Sequence, residues 1–436
     1  MNNGLIQNAR IVFPQGVRLG DLRLRNGLIA EFGEQLIPEA GEQVLAARGR
    51  YVIPGFVDLH NHGAMGFDFS LGKYDEARAT FSQNAEAYWQ ALEKALQFYR
   101  RKGVSKLYLT TVAAPITALE RSFRLLDEFL YRHPVYQSLV AGINVEGTFI
   151  KSPAFAGAQN PEYFYPAEPA TFDRLQSASG NRIRIVNVPP EHGEPGLELI
   201  RYLRARNIIV AGGHSAAFAH EFERAVDAGL SLAVHFLNGP SRSSSKSFHN
   251  GGAIETILRN DAVSVELIVD GYHVHPQYVR DVFVRKGMDS CIGITDSIFV
   301  NGLSKIKDFS LAGLKGRVSD NRAYLEAAGK ANSLFGSVLS SDRGFNNLIN
   351  WLTKKGEGVW YRQHEAYSLE EALVYAVQIM CDNPAKKMEI DGREGRAGAG
   401  RIRIGNSADL NWVHLKGEAG KYQCELEPIQ LQLEQT

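Results

Sequence analysis

Cysteine is scarce in this chain. Cys291, Cys381 and Cys424 are the three in 436 residues, odd in number and far apart. That excludes a disulfide scaffold and a cysteine-rich metal site, and it suits a reducing compartment. Net charge is also missing, because 48 lysines and arginines balance 48 aspartates and glutamates. No global basic field exists to draw in nucleic acid or an acidic membrane surface. No run reaches the ~18 apolar residues of a membrane span. The opening MNNGLIQNARIVFPQG has neither the basic start nor the unbroken apolar stretch of an export signal. The expectation is a cytoplasmic protein with no nucleic-acid or membrane partner. Low-complexity linkers, heptads and fixed-period repeats are absent too. What is present, 44% apolar and 22% charged residues, is enough for a large buried core.

Two textures divide the chain. The first 50 residues carry short alternating runs (LIQNARIVF, DLRLRNGLIAEFGE) that suit half-exposed antiparallel strands. The closing GRIRIGNSADLNWVHLKGEAGKYQCELEPI repeats that pattern after a glycine-rich stretch, GREGRAGAG. Between them lie eight near-continuous β-branched runs: FVDLH, KLYLTTV, SLVAGINV, RIRIVNV, NIIVAGG, SLAVHFL, VSVELIV and SCIGIT. Such runs suit strands buried on both faces of a parallel sheet. Amphipathic stretches such as NAEAYWQALEKALQFYRRKG separate them, several ending in basic residues and glycine as helices do. The expected fold is α/β: a (β/α)8 TIM-like barrel over 54–390, with a small β-sandwich formed by 1–53 and 391–436. An irregular insertion is expected at about 297–335.

Residues able to bind metal or move protons collect at the C-terminal ends of these runs, the face that carries barrel active sites. His60 and His62 end the first, Glu146 the third, His214 the fifth, His235 the sixth and Asp296 the eighth. His60 and His62, two apart on a strand, point to one side and can grip one ion. Imidazole with carboxylate suits zinc and other first-row divalent ions. A single histidine of this kind is more often a hydrogen-bonded core residue, and a lone Glu146 or Asp296 can cap a helix. Packing gives no reason for all six to end strands of one barrel.

PGFVDLHNHG (54–63) resembles the PGxxDxHxHG signature of the metal-dependent amidohydrolase superfamily. NVEGTFI (144–150), GGHS (212–215), AVHFLNG (233–239), ELIVDGYHVHP (266–276) and GITDS (293–297) are similar, in order and approximate spacing, to motifs of the N-acetylglucosamine-6-phosphate deacetylase family. The resemblance runs from the N-terminal strands to the C-terminal sheet. It implies a homodimer that hydrolyses the N-acetyl group of an amino-sugar phosphate. His60, His62, Glu146, His214 and His235 match the metal ligands, for one or two divalent ions with zinc expected. Asp296 matches the acid/base and His273 the imidazole beside the substrate, while His275 reads as a turn or surface residue. Asn238, Gly239 and Gln159 fall at substrate-binding positions.

Departures cluster on substrate recognition. Asn144 stands where a histidine often precedes the glutamate, Thr148 replaces a proline, Gln159 a histidine and Gly239 an alanine. FHNGG (248–252) stands where the family has a phosphate-holding arginine. In the preceding SRSSSKSFH, Arg242, Lys246 and His249 offer replacement cations, and the competing reading is a solvated serine-rich loop. The substrate therefore stays open among N-acetylglucosamine 6-phosphate, its galactosamine isomer, and another N-acyl or cyclic amide compound. A non-catalytic sugar-phosphate-binding protein is the reading from another class, and an intact Asp296 weighs against it. GHSAA (213–217) is close to a serine-hydrolase elbow but lacks the second glycine. GREGRAGAG lacks the strand-turn-helix context of a dinucleotide site.

Overall fold

Each of the eight apolar runs is too short and too β-branched for a buried helix, and each forms a strand. The computed structural model describes residues 3–238, 251–320, 324–327, 334–392 and 397–431. The barrel strands are Phe56–Asn61, Val104–Thr110, Val140–Val145, Ile183–Asn187, Ile209–Gly212, Leu230–Ala233, Ser264–Ile268 and Cys291–Ile294. They pair in chain order as one parallel sheet. Helices cover its outside. In Ala85–Arg101, Asn84 caps the N-terminus by accepting from the Ala87 N–H, and Tyr88, Leu92, Leu96 and Tyr99 turn one face to the core. The run SLAVHFL stops being a strand at Ala233, because His235 and Leu237 take positive φ.

The first and eighth strands meet at the C-terminal rim. There the Asp296 N–H donates to the His60 carbonyl (2.9 Å) and the His62 N–H to the Ser297 carbonyl (2.7 Å). Inside the seam, Thr295 Oγ1 donates to Asp58 Oδ2 at 2.6 Å. Burial pushes the Asp58 carboxyl up to about 6, against the hydrogen bonds from Thr295 and the His60 N–H that favour its charge.

Both ends of the chain build a second sheet of seven strands. Leu410–Lys416 pairs with Tyr51–Pro54 and Gln423–Pro428, and Gly4–Phe13 pairs with Gly16–Arg25, Gln43–Ala46 and Tyr51–Pro54. The expected β domain from both termini is present, its strands hydrogen-bonded into one connected sheet around a core of its own. A register shift between Ile6 and Ala9 lets its first strand serve two parallel partners, and Ile6, Ile11, Leu22, Val52 and Leu410 share a core of their own. The stretch 400–409 forms turns instead of the anticipated strand, with Ile402 plugged into that core.

The insertion at 297–335, expected to be irregular, contains a three-stranded antiparallel sheet of Asp308–Leu311, Leu314–Val318 and Leu325–Ala327. It packs with the small antiparallel sheet that follows the first barrel strand. Tyr74, Phe81, Phe299 and Phe309 make ring contacts at 4.5–5.5 Å. The two insertions form a cap on the rim with a separate core. Among the described residues no helix is long and apolar enough to cross a membrane.

Thr295→Val keeps the shape of the seam but removes the donor to a buried carboxylate. It should cost about 2 kcal/mol in denaturant unfolding, the scale of a hydrogen bond to a charged group. An unchanged midpoint would show that this contact does not hold the seam.

Candidate active site

Glu146, His214, His235 and Asp296 follow the third, fifth, sixth and eighth strands within two residues. The last three have φ of 52°, 26° and 48°. Non-glycine residues avoid that region at a cost on the order of 1–3 kcal/mol each, and they concentrate where function requires it. The chain therefore leaves strand geometry at the point where these side chains reach the barrel mouth.

One carboxylate organises the cluster. Glu146 Oε1 lies 3.0 Å from His235 Nε2, 3.3 Å from His214 Nε2 and 3.5 Å from His60 Nε2. Its Oε2 lies 3.6 Å from His62 Nε2 and accepts from Gln159 Nε2 at 2.7 Å. Asp296 Oδ1 is 3.1 Å from His62 Nε2 and 3.5 Å from His60 Nε2. All six residues are buried.

Hydrogen bonds behind the rings fix their tautomers. His214 Nδ1 donates to the Phe155 carbonyl (3.1 Å) and His235 Nδ1 to the Asn238 carbonyl (3.0 Å). Each neutral ring then carries its lone pair on Nε2, and these two nitrogens face each other at 3.1 Å. His60 Nδ1 is held by Glu266 Oε2 at 3.0 Å, and its buried Nε2 has no hydrogen-bond partner. Lone pairs that converge on a buried carboxylate need a cation among them. The sets His60, Glu146, His235 and His60, His62, Asp296 each bring their ligand atoms within 4.8 Å of one another. This donor set fits a first-row divalent ion.

The electrostatics agree. Burial opposes charge on His60, yet Glu146 and Glu266 hold its pKa well above the ordinary imidazole value. His235 is raised as well, by Glu146 and Asp296 against its burial. Burial likewise works against ionised Glu146 and Asp296, but the histidines win. Glu146 falls well below the usual carboxylate range and Asp296 to about 2.

Beside this cluster is a cavity of about 300 Å³. Asn238, Tyr272 and His273 line it from the sixth and seventh strands, and Gln159 from the loop after the third. His273 Nδ1 is anchored on Asp270 Oδ2 at 2.7 Å, which leaves the other ring nitrogen for a ligand. Val112, Ile298, Leu311, Leu334 and Phe335 make an apolar wall on the remaining side.

The structure thus brings together His60, His62, Glu146, His214, His235 and Asp296, with His273, Asn238 and Gln159 at the cavity. Gly239, Arg242 and His249 lie outside the described residues. Gln159 is already engaged at both ends, since its Oε1 accepts from the Ala113 N–H at 2.6 Å, so it also fixes Glu146. His275 caps the helix Pro276–Lys286 by accepting from the Gln277 N–H. Ser215 is buried and donates to Glu191, which fits a turn in GHSAA and no nucleophile. Two partners escaped the sequence reading, Glu266 and Asp270. For Glu266 a signal existed: a carboxylate in the middle of the otherwise apolar run VSVELIV.

No family model matches the chain. It is 27% identical over 365 residues to the N-acetylglucosamine-6-phosphate deacetylase of Bacillus subtilis (strain 168), covering 82% of this chain and 79% of that protein. Over 332 residues it is 28% identical to the N-acetylgalactosamine-6-phosphate deacetylase of Escherichia coli O157:H7, covering 75% and 78%. Among solved structures, the N-acetyl-D-glucosamine-6-phosphate deacetylase of Mycobacterium smegmatis, in complex with N-acetyl-D-glucosamine 6-phosphate, matches with a TM-score of 0.77. That match has 24% identity and covers 97% of this chain and 99% of the other. These relatives are amino-sugar-phosphate deacetylases. The barrel with a sheet domain built from both termini is the fold of the deacetylase structures.

Two effects of the cluster on stability have opposite signs. Histidines with raised pKa stabilise the fold below the ordinary imidazole value of about 6.5, and that contribution is lost as pH rises through their folded values. Carboxylates with lowered pKa stabilise above about 4, and that is lost as pH falls through their folded values. Chelator-treated protein should therefore melt highest between about pH 4.5 and 6.5, and added zinc should raise Tm far more at pH 8 than at pH 5.5. An equal zinc effect at both pH values would detach the ion from this cluster. His214→Ala and His235→Ala should each lose bound metal, read by elemental analysis.

Proposed function

We propose that this protein removes the acetyl group from N-acetylglucosamine 6-phosphate, giving acetate and glucosamine 6-phosphate. The observation that carries this reading is the placement of an ionised carboxylate, Asp296, against a set of five buried metal-type donors at the mouth of a sugar-sized cavity. His60, His62, Glu146, His214 and His235 would hold one or two divalent ions, zinc being the ion the donor set suits. An ion bound there supplies Lewis acidity toward the amide carbonyl and lowers the pKa of water.

The remaining work belongs to the chain's own residues. Asp296 Oδ accepts a proton from the attacking water and delivers it to the amide nitrogen as the C–N bond breaks. The neighbouring histidines keep it ionised at neutral pH. His273, held through Nδ1 by Asp270, hydrogen-bonds the substrate's carbonyl or hydroxyl oxygens. Asn238 and the spare N–H of Gln159 bind sugar hydroxyls. Arg242, Lys246 and His249, in the segment between the sixth strand and the helix Ala253–Arg259, take the phosphate in place of the family's arginine, with Gly239 beside Asn238 at the substrate. The protein works as a cytoplasmic homodimer in this reading, and the barrel extends over 54–390 with the sheet domain at 1–53 and 391–436.

The direct test is acetate release by zinc-loaded protein from N-acetylglucosamine 6-phosphate, its galactosamine isomer and the two unphosphorylated sugars. Strong preference for the phosphorylated glucosamine is expected. No acetate from any of the four would overturn the reading. Asp296→Asn should keep its metal and lose about 10²- to 10⁴-fold in turnover, the scale of a positioned acid/base. Near-normal turnover in that variant would remove Asp296 from the proton path.

A further inference from the structure

The cavity has two chemically different sides, and an amide has two ends. Around the barrel, the cluster contributes His62, Glu146, His214, His235 and Asp296 to the lining, and the other hydrogen-bonding side chains, Gln159, Asn238, Tyr272 and His273, come from the arc of the third to seventh strands. The apolar lining comes from the sector of the eighth, first and second strands and from the cap: Ile298, Val112, Leu311, Leu334 and Phe335. Four of these five are buried to 4% exposure or less. Those four belong to the core of the cap, and Leu334 precedes Phe335 in the chain.

A sugar presents hydroxyls, whose burial without partners costs about 1–3 kcal/mol each, so its place is the polar side. In an N-acyl amine the carbonyl carbon is trigonal planar, so when its oxygen faces the cluster the nitrogen and the acyl substituent diverge to the two sides of the C=O axis. With the carbonyl oxygen on the histidine and carboxylate cluster and the sugar over Gln159, Asn238, Tyr272 and His273, the substituent points away from the sugar, toward the cap. We propose that Val112, Ile298, Leu311, Leu334 and Phe335 form an acyl-selecting subsite that takes alkyl acyl groups and rejects hydroxylated ones. The inference rests on the deacetylase reading above and specifies which end of the substrate each wall receives. The reaction is unchanged: water adds its oxygen to the acyl carbon, the C–N bond breaks, and the amine leaves with the proton relayed by Asp296.

N-propionyl and N-glycolyl groups are nearly isosteric and differ by a methyl against a hydroxyl, so they probe this wall directly. The experiment measures kcat/KM of zinc-loaded protein on the N-acetyl, N-propionyl and N-glycolyl derivatives of glucosamine 6-phosphate and of galactosamine 6-phosphate. On whichever sugar gives the faster acetyl reaction, propionyl should exceed glycolyl by about 10- to 100-fold, the range over which an apolar pocket rejects an added hydroxyl. Leu311→Thr should shrink that ratio by offering the hydroxyl a partner. Cleavage of the acetyl compound with equal or greater activity on glycolyl would overturn the subsite while leaving the deacetylase reading intact. No cleavage of any derivative would overturn both.

Discussion

A carboxylate with almost no access to water does not stay charged unaided, and Glu146 is 1% exposed. Its two oxygens divide four imidazoles between them, and three of those rings are oriented by something further out. Glu266 holds His60, the Phe155 carbonyl holds His214, and the Asn238 carbonyl holds His235. Glu266 Oε2 also receives the His235 N–H, so one carboxylate braces two rings of the cluster. Outer partners of this kind set the tautomer and basicity of a ligand as much as the ligand's own position does. The strained backbone at His214, His235 and Asp296 belongs to the same arrangement. Ideal strand geometry would send those side chains elsewhere, and only a well-packed surround keeps residues in that conformation.

Barrel closure and chemistry share one seam. The backbone bonds that join the first and eighth strands at the rim involve His60, His62, Gly63, Asp296 and Ser297, three of which belong to the cluster. The Asp58–Thr295 contact below it continues the same line of polar bonds into the barrel interior. The cost of burying polar groups is thus offset by using them to register the strands that carry the site.

Much of this was legible in the residues, and the physical reason is specific. Strands buried on both faces have to be apolar throughout, so KLYLTTV or RIRIVNV is visible without help. A histidine or acid at the end of such a run breaks the pattern where barrel sites form. His60, Glu146 and Asp296 could be found that way. Glu266 was hidden because a single charge inside VSVELIV looks like noise until its partner, 206 residues away in sequence, is seen to be His60. The cap sheet at Asp308–Ala327 was missed because its strands are only three to five residues long and pack against Phe299 of the same insertion and Tyr74 of another. Local patterning cannot report a partner that distant. The mistaken strand at GRIRIG shows the converse, since an alternating run was overridden by turns that place Ile402 in the sheet core.

The cap's core is distinct from the one that surrounds the barrel. That separation divides the molecule into a part that holds the reactive groups and a part that frames the space above them. The frame touches the barrel through few links, such as Val112 and Ile298 after the second and eighth strands and the Ser337 N–H on the Asp296 carbonyl. Selection, natural or in the laboratory, can therefore vary the cap by insertion, deletion or repacking and sample new acyl preferences while the hydrolytic centre stays in register.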